Sequence, residues 1–173
     1  WVALDVFRGL VIFLMLPVNA AMDFSRIPAW FKHAPAEGVT MPDFIMPAFL
    51  VALGLSSSLS LRRRLAADGA AKTWGHALLR FGLLFAFGTV GFFLVWKQKN
   101  WEILQMLGAT GALAFPFLFL SPPWRALSAL ALLAGVEALR TAFFEGSYTA
   151  WYLSGIGGPA GTFALAALPI AAS

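Results

Sequence analysis

The sequence predicts an all-α fold, a polytopic transmembrane helical bundle of about six helices. Three observations carry the prediction. Of 173 residues, 60% are hydrophobic and 12% charged, about half the charge that a soluble domain normally carries. Apolar runs of roughly 18–20 residues recur along the chain, the length needed to cross a bilayer core. Pro/Gly-rich connections, Ser121-Pro122-Pro123 and Gly155-Ile156-Gly157-Gly158-Pro159, fall between such runs and mark turns.

The first helix is expected from Leu4 to Met22. Asp5, Arg8, Ile12, Met15 and Asn19 follow a 3,4,3,4 spacing and share one face. Lipid would reject that stripe by roughly 2.5–3.5 kcal/mol per central charge, so it is expected to face the bundle interior or a water-filled cavity. Asp5 and Arg8 are placed to pair at one end, and Pro17 is placed to kink the other. The second helix is expected from Pro42 to Leu61, with Asp43, Pro47, Leu50, Gly54 and Ser57 on one face. Thr40 and Asp43 have capping-box spacing, with Pro42 in the first turn. Gly54 with Ser58, and Gly108 with Ala112, read as small-residue pairs for close helix packing.

A third helix is expected over Ala77–Trp96, a fourth over Glu102–Leu120, a fifth over Trp124–Phe144, and a sixth from about Gly161. Arg62, Arg63, Arg64 and Lys72 read as a basic cytoplasmic loop between the second and third helices. Alternate crossings put Arg8, Arg80 and Arg125 on that side too. Arg26, Lys32, Lys97, Lys99 and Arg140 then fall outside, and His33 faces the exoplasm. Residues 1–173 read as a single domain. It opens at Trp1 near a helix start and stops inside an apolar run, as a fragment of a larger protein does.

Composition also sets aside several functions. The net charge of +4 comes from basic residues at helix ends, not from a basic stripe interleaved with aromatics, so no nucleic-acid partner is expected. With no cysteine there is no thiolate ligand, disulfide or cysteine nucleophile. His33 and His76 stand far apart with no ligand spacing, so no metal site is expected.

The chemistry-bearing stretch is Trp30 to Pro47. His33 lies in its polar part, and imidazole, with an ordinary pKa of about 6.5, serves as a base or nucleophile near neutrality. Glu37 and Asp43 lie near enough in sequence to orient the ring. An exposed histidine and a plain helix cap are the alternative readings of His33 and Asp43. Arg62, Arg63, Arg64 and Lys72 suit the phosphates of a cytoplasmic cofactor, or else set topology and attract anionic lipid. Gln105 either lines a pathway or bonds a neighbouring helix.

Leu4-Asp5-Val6-Phe7-Arg8-Gly9-Leu10, Asn19, Phe31-Lys32-His33-Ala34, Gly38-Val39-Thr40, Asp43 and Pro47 together resemble the catalytic domain of heparan-α-glucosaminide N-acetyltransferase and its bacterial relatives. The similarity is densest over residues 4–61. It continues more thinly in Ile103-Leu104-Gln105 and Gly158-Pro159-Ala160-Gly161-Thr162. Ala36, Glu37 and Met106 depart from the family pattern. The resemblance implies an acyltransferase that takes an acetyl group from cytosolic acetyl-CoA to an amino sugar or glycan across a lipid bilayer. It implies a multi-pass protein of the bacterial inner membrane, with the His33 segment on the periplasmic side, and leaves a homodimer open. His33 takes the position of the catalytic histidine, Asn19 that of an active-site asparagine, and Asp43 that of an acidic neighbour. Arg8, Arg62, Arg63 and Arg64 are the residues expected to hold the nucleotide end of the acyl donor. Acetyl-histidine and direct-transfer routes both remain open. So do a sugar or metabolite transporter or flippase, and a non-catalytic membrane subunit with this fold.

Overall fold

A computed structural model describes residues 2–21, 27–32, 40–96, 103–143 and 158–173. Among the described residues the chain is all helical, with five α-helices and no strand. They are α1 (Val2–Ala21), α2 (Met41–Trp96), α3 (Ile103–Ala114), α4 (Pro122–Phe143) and α5 (Gly158–Ala172), with 3₁₀ segments at Ala29–Phe31 and Phe115–Phe119. Among the described residues one helix, over Met41–Gly91, is long and apolar enough to cross a membrane, with a mean hydropathy of 1.9 over an 18-residue stretch.

The count is five because the second and third expected helices run into one element, α2, joined across a kink at Gly69 and not by a loop. The basic stretch expected as a loop is helical. Arginine, leucine and alanine are strong helix formers, and Arg64 adds an i,i+4 ion pair to Asp68 at 3.8 Å. The helix is broken at Gly69, whose φ of 77° and ψ of 173° belong to a region that only glycine adopts readily. From there the arm over residues 70–96 folds back along the arm over 41–68. Residues at similar distances on either side of Gly69 come together: Ser56 and Leu53 of the first arm line one cavity with Arg80 and Leu84 of the second. Leu61 and Ala77 share one buried cluster. Thr73 Oγ1 donates to the Gly69 carbonyl at 2.7 Å and tightens the start of the second arm.

The main core joins Leu50, Leu53 and Leu61 of the first arm to Ala77 and Phe81 of the second, with Leu107, Phe115 and Leu118. Small residues set the spacing. A Cβ on Gly108 would lie 2.7 Å from the Phe81 carbonyl oxygen, and one on Gly111 would enter the Phe81 ring. A Cβ on Gly54 would meet the backbone of Pro169 in α5. The close-packing reading of Gly54 and Gly108 therefore holds, whereas Ser58 turns its hydroxyl back to the Leu55 carbonyl at 3.0 Å. Gln105, buried, bonds the neighbouring helix: its Nε2 donates to Thr89 Oγ1 at 3.1 Å, and Thr89 Oγ1 lies 2.9 Å from the Phe85 carbonyl. Near the Gly69 turn, Trp74 stacks on Phe119 and meets Phe115 edge-on.

The helix α1 packs along the first arm of α2 in the opposite direction. Val11 and Val18 form a buried cluster with Ile45, flanked by Phe7, Leu14, Met15, Phe31 and Phe49. The buried face is thus centred about one position round from the expected polar stripe. Ile12, assigned to that stripe, is 43% exposed. Apolar contact with α2 sets the rotation of α1, and Asp5 and Arg8 come to the rim of the interface.

Candidate functional site

At one end of the molecule, the start of α2 is capped through its own sequence. The Thr40 N–H donates to Asp43 Oδ2 at 2.8 Å, and the Asp43 N–H donates to the Thr40 carbonyl at 3.1 Å. A carboxylate at the third helical position bonding the cap residue's N–H is half of a capping box, and it suits the positive end of the helix dipole. Asp43 therefore does serve as a cap. Pro47 has no N–H, so the Asp43 carbonyl loses its intrahelical partner as well. Thr40 Oγ1 lies 2.9 Å from Asp43 Oδ2 and 2.6 Å from the Lys32 carbonyl oxygen, a contact with a residue eight positions away.

His33 and the side chain of Asn19 lie outside the described residues, as do Ala36 and Glu37. Their sequence neighbours are described, and these meet. Val18 precedes Asn19, Phe31 stands two before His33, and Ile45 stands two after Asp43. All three belong to the cluster that joins α1, the 3₁₀ turn at Ala29–Phe31 and the start of α2. The backbone therefore carries three distant parts of the sequence to one corner of the protein.

Toward the Gly69 end, α1 and the first arm of α2 border an open polar cavity of about 520 Å³. Asp5, Arg8, Ser56, Ser60, Arg63, Arg64 and Asp68 line it, with Leu4, Leu59 and Ala67. Helix geometry decides which arginines enter. Positions 56, 60, 63, 64 and 67 share a face, whereas Arg62 falls on another face and outside the lining. Asp68 is engaged by Arg64. Arg8, which the sequence separates from Arg63 by 54 intervening positions, enters because α1 runs antiparallel to the arm.

A second cavity of about 520 Å³ adjoins it and shares Arg8 and Ser56. This one is apolar for most of its length, between Phe49, Ala52 and Leu53 on the first arm and Leu79, Leu83, Leu84 and Phe87 on the second. Arg80 and His76 stand at its polar end. Arg80 lies over the Phe81 ring, 5.6 Å from its centroid. Phe49 lines this cavity and also packs against the cluster of Val11, Val18 and Ile45. A continuous series of residues thus leads from the arginines, along the apolar cavity, to the corner beside Asp43.

Arg80, His76, Ser56 and Ser60 were not among the expected site residues. Only the hairpin brings the first two to Arg8, and its signal in the sequence is a single glycine within a helix-forming run. Among the described residues no group of three or more His, Asp or Glu side chains could hold a metal ion.

Compared with known proteins, residues 1–158 match the model of the family described as heparan-alpha-glucosaminide N-acetyltransferase, catalytic. Neither a curated protein nor a solved structure matches the chain.

Proposed function

The chain belongs to the heparan-α-glucosaminide N-acetyltransferase catalytic family, and from that premise we propose a membrane-embedded acyltransferase. Acetyl-CoA on the cytosolic face is the acyl donor. An amino sugar, free or within a glycan, is the acceptor on the opposite face.

The observation that carries this reading is the pairing of an arginine-lined cavity with an apolar one that continues toward Asp43. Arg8, Arg63 and Arg64 offer planar, permanently charged donors suited to phosphate oxygens. Arg62, outside that lining, adds its charge to the surrounding field. The first arm separates Asp43 from Arg64 by 21 residues, about 30 Å of helix, which is also the thickness of a bilayer core. The helix Met41–Gly91 then accounts for two crossings joined at Gly69, with the arginines at one interface and the His33 segment at the other.

His33 acts on the acceptor amine. In direct transfer the amine nitrogen bonds to the thioester carbonyl carbon while His33 takes the amine proton. Collapse of the tetrahedral species breaks the C–S bond, and the proton passes to the departing thiolate. The products are an N-acetyl sugar and free thiol. In the acetyl-histidine route the His33 nitrogen forms the first bond to carbon and the thiolate leaves; the amine nitrogen then attacks the acetyl carbon, the C–N bond to His33 breaks, and the amine proton passes to the thiolate. Either route needs neutral imidazole. Asn19 donates to the carbonyl oxygen as charge develops there, a contribution of about 3–4 kcal/mol in well-characterised cases. Asp43 fixes the adjoining helix start.

The test is acetyl-CoA-dependent acetylation of glucosamine by the full-length protein in proteoliposomes, wild type against His33→Ala. Loss of turnover in the variant is expected. Undiminished turnover would remove His33 from the chemistry, and uptake of sugar with no acetylated product would make the protein a transporter.

A further inference from the structure

We infer that Thr40 is a positioning residue for the reaction, bridging the peptide before His33 to the Asp43 carboxylate. This rests on His33 being the reacting base or nucleophile. Thr40 Oγ1 lies 2.6 Å from the Lys32 carbonyl oxygen, at the short end of O–H···O hydrogen bonds, and 2.9 Å from Asp43 Oδ2. A threonine hydroxyl carries one proton, and both neighbours here are acceptors, so the proton is shared between them or held by one at a time.

The Lys32 carbonyl belongs to the planar peptide whose nitrogen is that of His33. Holding this oxygen therefore restrains the orientation of the plane from which His33 continues. The other end of the bridge is rigid. Asp43 Oδ2 also accepts the Thr40 N–H, and Asp43 sits in the first turn of α2. Phe31, one residue before Lys32, is seated against the cluster of Val11, Val18 and Ile45. The residues flanking 33–39 are thus tied together at positions 32 and 40, against the helix that also forms the apolar cavity. Removing the hydroxyl takes away the single proton that the Lys32 carbonyl and the carboxylate share, while preserving the cap's backbone bond.

A positioning role makes separate predictions for the hydroxyl and for side-chain bulk. In full-length protein in proteoliposomes, Thr40→Val should lower kcat about 10- to 100-fold, the scale of misplacing a reacting group by about 1 Å. KM for acetyl-CoA and for glucosamine should stay within about threefold. Thr40→Ser, which keeps the hydroxyl, should recover most of kcat. Thr40→Cys, a weaker donor of similar size, should fall between them. If Thr40→Val does not fold, the order Thr, Ser, Cys decides by itself. A Thr40→Val enzyme as fast as wild type, or a serine variant as slow as the valine one, overturns the inference while His33→Ala remains inactive. Full turnover in His33→Ala overturns the catalytic reading, and this inference with it.

Discussion

Gly54 of the first α2 arm and Pro169 of α5 touch backbone to backbone: a Cβ placed on Gly54 would lie 2.6 Å from the Pro169 Cα. Pro169 is fully buried, and neither backbone has a flexible side chain that can move away. Gly54→Ala is therefore expected to push α5 off the hairpin and cost about 1–3 kcal/mol, the usual range for overpacking a filled core. The readout is the thermal unfolding midpoint in detergent. An unchanged midpoint would mean that the two helices are not seated this closely.

Gly69 and Gly82 should respond in opposite directions. At Gly69 the backbone stands at a φ of 77°, where a Cβ costs on the order of 1–3 kcal/mol. Gly69→Ala should lower the midpoint and loosen the return of the second arm. Gly82 lies within that arm with nothing within 4 Å of its missing Cβ, so Gly82→Ala should stabilise by about 0.5–1 kcal/mol. Equal shifts in both variants would argue against a hairpin that turns at residue 69.

The same contrast shows how far the sequence could be read. Apolar length located α1, α3 with its 3₁₀ extension, and α4 to within a few residues, because proline or polar residues interrupt the apolar sequence near their ends. The stretch from Arg62 to His76 misled, since charge density suggested a loop where helix propensity and the Arg64–Asp68 pair continue the helix. Arg8 was legible as a polar residue on an apolar helix, and its neighbours Arg63 and Arg64 as a basic run. That Arg62 stays outside the cavity while Arg80 stands at its neighbour depended on helix rotation and on the reversal at Gly69. The Lys32–Thr40 contact had no signal at all, because eight residues correspond to no periodicity that joins a 3₁₀ turn to a helix cap.

Gln105 and Thr89 offer a direct measure of a polar bond between the second arm and α3. A double-mutant cycle of Gln105→Leu with Thr89→Val should yield a coupling of about 0.6 kcal/mol, and no more than roughly 1.7, as for hydrogen bonds between membrane helices. Thermal or denaturant unfolding in detergent gives the four stabilities. Coupling indistinguishable from zero would show that the 3.1 Å contact contributes nothing net.

Donor binding should separate the arginines by where they point. Arg8 and Arg64 come from different helices into one cavity, and Arg8 also lines the apolar cavity beyond it. Arg8→Ala and Arg64→Ala are each expected to raise KM for acetyl-CoA about tenfold, equivalent to about 1.4 kcal/mol and close to the lower end of the range for hydrogen bonds to charged groups. Their KM for the amino sugar should change by less than about twofold, since the acceptor site we propose lies at the other end of the helix. Arg62→Ala should have a smaller effect than either, because its side chain acts only through the surrounding field. Raising the ionic strength shortens the Debye length from about 10 Å at 0.1 M to about 3 Å at 1 M. It should therefore erase most of the Arg62 effect and less of the other two. Steady-state kinetics in proteoliposomes at both salt concentrations provides the check. If Arg62→Ala matched Arg64→Ala at high salt, binding would follow total charge, and the cavity would lose its claim to the donor.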